Sequence, residues 1–85
     1  MELPADAQAA KMRVVGDPVL HPVAVRNISV RGLMAISENV CEPGTIVEIE
    51  VPGVGWVEGS VAWVQSDRFG VAFSTAVDPS LIPGE

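Results

Sequence analysis

Thr45-Ile46-Val47-Glu48-Ile49-Glu50-Val51 decides the fold class. Val47, Ile49 and Val51 fall on one side of an extended chain and the two glutamates on the other, the two-residue period of a half-buried strand. Both ends of the stretch are punctuated alike. Glu42-Pro43-Gly44 precedes it and Pro52-Gly53-Val54-Gly55 follows it; Pro presets φ and Gly accepts a positive one, which suits a type II turn. The second turn leads into Trp56–Val64, with Val57, Val61 and Trp63 on one face and Gly59 between them. Gln65-Ser66-Asp67 is a short polar link to Arg68–Ser74, where Phe69, Val71 and Phe73 alternate inward. Two successive hairpins are expected, with Trp63, Phe69 and Phe73 in the core. Trp56, of opposite parity, is expected to be partly exposed.

Upstream, valine dominates the apolar residues and Gly and Pro recur at short intervals, which favours strands over any long helix. A first strand is expected near Lys11–Val15, a turn at Gly16-Asp17-Pro18, and a second strand over Val19–Arg26. Pro22 cannot donate to a ladder, so that part belongs at an edge or a bulge. A third strand covers Gly32–Ser37, and Met12 and Met34 are expected to fill gaps in a small core. Short strands joined by tight turns imply a small antiparallel barrel or rolled sheet, because closure removes exposed edges. Residues 1–10 read as a flexible segment, 11–77 as the barrel and 78–85 as a short tail. In the tail, Asp78-Pro79 resembles a helix start and Pro83-Gly84 stops it within about a turn.

Composition narrows the function. Eighty-five residues allow one domain, and 48% hydrophobic residues can bury enough surface to fold. No apolar run approaches a membrane span and the first residues lack the pattern of a secretory signal, so a cytoplasmic protein is expected. With one Cys and one His, zinc-type sites are excluded. Cys41 reads as a small packed hydrophobe and His21 as a packed or solvent-tipped side chain, so no enzyme and no cofactor are expected. Eleven acids against five bases give a net charge of −6, which argues against binding DNA or RNA. The charge is unevenly placed. Lys11, Arg13, Arg26 and Arg31 fall in a stretch whose only acid is Asp17, whereas the rest of the chain sets Arg68 against ten acids.

The chemistry gathers at Arg26-Asn27-Ile28-Ser29-Val30-Arg31-Gly32. Asn and Ser supply donors and acceptors, Gly lets a ligand or another backbone come close, and each arginine can grip a phosphate or stack on a base. The same residues also suit an ordinary turn stabilised by its own side chains.

Asn27-x-Ser29-x-x-Gly32 resembles the (Asp/Asn)-x-Ser-x-x-Gly signature of PilZ domains, bacterial receptors for the second messenger cyclic di-GMP. The family's later landmarks follow in order as Gly44-Thr45-Ile46, Gly59-Ser60-Val61-Ala62-Trp63 and Gly70-Val71-Ala72-Phe73, so the resemblance spans about Lys11 to Leu81. It implies a six-stranded antiparallel PilZ-like barrel and a cyclic di-GMP site. The ligand-binding candidates are Asn27, Ser29, Gly32, Arg13, Arg31, Arg26 and Lys11. If the strand stayed regular through the motif, Arg31 would share the parity of Asn27 and Ser29 and Arg26 would not.

One departure qualifies this. Binding members carry Arg-x-x-x-Arg before the first strand, yet residues 1–10 contain no Arg; with Arg13 at the second position, Ala9 stands at the first. A charge-assisted hydrogen bond lost costs about 1.5–3 kcal/mol. The resemblance therefore implies a receptor of weakened affinity. The alternative is a degenerate barrel acting through a bacterial protein partner, steered by an exterior bearing Glu48, Glu50 and Glu58.

Overall fold

In a computed structural model, which describes residues 7–38, 41–78 and 80, six strands form. They are β1 (Gln8–Val14), β2 (His21–Arg26), β3 (Gly32–Ile36), β4 (Ile46–Val51), β5 (Gly55–Gln65) and β6 (Arg68–Phe73). All pair antiparallel, in the order β1-β2-β3-β6-β5-β4, and β4 returns to β1 to close the barrel. The helical turn expected in the tail lies outside the described residues. So do residues 1–6 of the segment expected to be flexible, while β1 begins at Gln8, three residues earlier than expected.

The decisive stretch behaves as its alternation requires. Val47, Ile49 and Val51 are buried, and Glu48 and Glu50 face out. Each proline-glycine turn closes with a hydrogen bond: Thr45 N–H donates to Glu42 O (3.1 Å) and Val54 N–H to Val51 O (2.9 Å). Gly44 (φ 93°) and Gly53 (φ 82°) take the positive φ that the third residue of a type II turn demands. Ala10, Met12, Val23, Val25, Leu33, Ala35, Val61, Phe69 and Val71 complete the interior, and Phe73 packs against it. Removing a side chain such as Phe69 from water contributes about 1.5–3 kcal/mol.

Pro22 is accommodated by a local gap. Pairing between β2 and β3 starts at Ala24 with Ile36, so the missing proline N–H interrupts no pair on that side. Val19 and Leu20, expected in the second strand, are exposed in the loop before it.

Two expectations about the core are overturned: Met34, unlike Met12, is only half-buried and stands opposite Gly70 in the outward-facing row, and a tryptophan changes sides. Trp63 is not in the core: it is 42% exposed, nearly as much as Trp56 at 44%. The cause is a bulge in β5. Val61 pairs with Val71 and Trp63 with Gly70, so Ala62 is an extra residue with no partner. An unpaired insertion shifts every later side chain to the other face. Val57, Gly59 and Val61 therefore face in, and Trp63 faces out.

Candidate functional site

The motif loop begins where β2 ends. Asn27 adopts a left-handed conformation (φ 55°), which asparagine tolerates better than most residues, and the strand goes no further. The parity relation between Arg31, Asn27 and Ser29 therefore does not apply, because residues 27–31 belong to no strand. Ile28 packs against the core and anchors the loop. Ser29 closes it: its N–H and its hydroxyl both donate to Gly32 O (2.8 and 3.2 Å), and its Oγ accepts from Arg31 N–H (3.3 Å). Gly32 is demanded by packing, since a Cβ there would overlap the Val71 carbonyl of the neighbouring strand. The loop is also fixed from the far side. Phe73 N–H donates to Arg31 O (2.8 Å) and Val77 N–H to Val30 O (2.9 Å), so the segment after β6 is stitched to the loop.

Beside the loop, on the outer wall, runs a groove of about 280 Å³. Ser29, Arg31 and Gly32 line one side, Trp63 the other, with Ala62, Gly70 and Ala72 between. The small residues give a flat floor. Trp63 lies directly on Gly70, where any Cβ would overlap its indole. Met34 and Arg26 continue the same cross-strand row, Trp63 to Gly70 to Met34 to Arg26. The arrangement offers an aromatic face, an exposed guanidinium and main chain at close range, which together suit a planar anionic ligand.

Of the seven candidates, Ser29, Arg31 and Gly32 share this groove; Asn27 is exposed at the head of the loop and Arg26 half-buried at its root. Lys11 and Arg13 are elsewhere. Gln8 is the β1 residue level with Val25, near the loop, and Arg13 lies five residues further along, about 17 Å away. Arg13 is engaged there. Its Nε donates to Glu48 Oε1 at 2.7 Å and its guanidinium stands 4.9 Å above the Trp56 ring. Trp63 was missed by sequence reasoning. The available signal was Gly70, a glycine inside a strand, which marks a bulge or a close approach.

The remaining chemistry is sparse. Cys41 is half-buried against the core, and burial pushes its thiol above the ordinary value. At Asp78, the Ser80 N–H (2.9 Å) and hydroxyl (2.8 Å) both donate to Oδ1, which lowers its carboxyl pKa. Among the described residues no group of three or more His, Cys, Asp or Glu could hold a metal ion, and no helix is long and apolar enough to cross a membrane. No family model, curated protein or solved structure matches the chain.

Proposed function

We propose that this chain is a PilZ-like bacterial signalling module that takes cyclic di-GMP, with reduced affinity, in the groove between the motif loop and Trp63. The observation that carries the reading is the convergence of Ser29, Arg31 and Trp63 on a floor of Gly70, Ala72 and Ala62. A guanine would stack on the exposed indole, and Arg31 would take a phosphodiester oxygen. The affinity is reduced because the first position of the family's clamp is Ala9, and Arg13 at its second is engaged with Glu48 and Trp56. Titration with cyclic di-GMP at low salt, followed by tryptophan emission, tests this. Quenching that persists in Trp56→Phe and vanishes in Trp63→Phe is expected; no response up to high micromolar ligand rejects the receptor reading.

A second reading is favoured by a specific observation. Ser29 and Gly32 already have local duties, one closing the loop and the other admitting the β6 backbone. The motif would then persist for folding, and the barrel would act as an adaptor for a protein partner. Salt-sensitive capture of one partner, together with a silent nucleotide titration, is the outcome that selects it.

A further inference from the structure

Building on the receptor reading, we propose that one cyclic dinucleotide is held between two copies of this chain, each supplying Arg31 and Trp63. A cyclic di-GMP molecule is chemically doubled, with two guanines and two phosphodiester charges. The groove is not. It contains one exposed indole and one arginine, Arg31, that has no ion pair among the described residues. Residues 1–10 supply it no further cation, since they contain neither Arg nor Lys. Arg13 is held by Glu48 on another part of the wall. A single copy therefore matches half of the ligand, one base and one phosphate.

The groove's position leaves the other half open to a partner. Its lining comes from the outer surfaces of β3, β5 and β6 and from the loop, with no strand arching over it. A ligand seated there turns its second guanine and second phosphate outward. A second copy related by the ligand's own two-fold axis presents the same residues to that half.

Charge makes the pairing conditional on ligand. Each chain carries −6 overall, and each loop presents the exposed Arg31, so two copies repel both at long range and loop to loop. Two phosphodiesters placed between the loops supply the missing negative charge. Ligand is then a requirement for association rather than an accompaniment to it.

Sedimentation velocity of the full chain, titrated in parallel with cyclic di-GMP and with guanosine monophosphate, tests the inference. The protein alone is expected to be monomeric. Cyclic di-GMP is expected to produce a dimer whose population peaks near half an equivalent and falls in excess ligand, as a bridging ligand requires. Guanosine monophosphate, carrying one base and one phosphate, is expected to bind without dimerisation and to dissolve the dimer. Because each bridged complex contains two Arg31 residues, Arg31→Ala is expected to weaken dimer formation by about a hundredfold or more, the square of a single-site loss of at least roughly tenfold. Arg13→Ala is expected to leave the dimer intact. A one-to-one complex at every ratio, or a dimer without ligand, overturns the bridge and leaves the receptor reading standing. Binding of neither nucleotide overturns both.

Discussion

The barrel wall carries two arginine–tryptophan sets, and their contrast shows how neighbours decide what such a set can do. Trp56 and Trp63 are almost equally exposed, 44% and 42%. Arg13, however, sits over Trp56 and is ion-paired to Glu48, its register partner on β4. That set is closed on itself. Its guanidinium also offsets a conflict, because Glu48 faces Glu58 directly across β4 and β5, a like-charge pairing that destabilises a sheet. Around Trp63 the register partners are small or apolar, and no carboxylate lines the groove that it shares with Arg31. The first set fastens three strands together. The second leaves a guanidinium and an indole available to something else.

The contrast can be broken most severely at the groove floor. Gly32→Ala pushes a methyl into the Val71 carbonyl, and a backbone obstacle cannot swing aside. A loss of about 3 kcal/mol is expected, read as a lower urea midpoint; unchanged stability would show that β3 and β6 do not need this approach. Next in size is the division of labour between the arginines. Arg31→Ala is expected to cost cyclic di-GMP affinity about 1.5–3 kcal/mol with little change in melting, whereas Arg13→Ala leaves affinity unchanged. Equal effects of the two substitutions on affinity would erase the distinction drawn here.

Gly70→Ala sharpens the comparison more gently. The obstacle there is the Trp63 ring, which can rotate away, so about 1 kcal/mol of stability should be lost. Emission should shift to the red and acrylamide quenching should rise; an unmoved spectrum would mean that the indole does not rest on Gly70. The smallest effects concern the closed set. Glu48→Gln is expected to cost about 0.5 kcal/mol, since both partners are partly exposed. Glu58→Gln is expected to gain about 0.2–0.5 kcal/mol by relieving the opposed pair. Thermal melts at low and high salt check both, because the difference between the two variants should shrink as salt screens the charges.

Much of the fold could be read from residues close in sequence. The alternation at 45–51 and the two proline-glycine turns are local signals, and each produced the expected element. The start of β1 was harder, because Gln8, Ala9 and Ala10 have weak strand preference and are held by pairing with Val25, Ala24 and Val23. Trp63 failed for a different reason. Parity counting assumes a constant phase along the strand, and nothing within 56–64 announces that Ala62 is surplus. The loop was legible in its residue types, including the possibility that Ser29 serves its own turn. The position of Arg13 was not, since Glu48 lies 35 positions away in the chain and meets it only through the barrel's closure.

The surplus residue in β5 has a consequence for how this surface can change. Whether an indole at that place points into oil or into water is encoded by counting rather than by chemistry. Deleting Ala62 would leave Val61 opposite Val71 and Trp63 opposite Gly70 in a regular ladder with the ring still outward, whereas seating Ala62 opposite Gly70 would move the ring opposite Phe69, onto the filled inner face. The outward direction of the aromatic shelf is therefore a matter of pairing register rather than of the residue types around it.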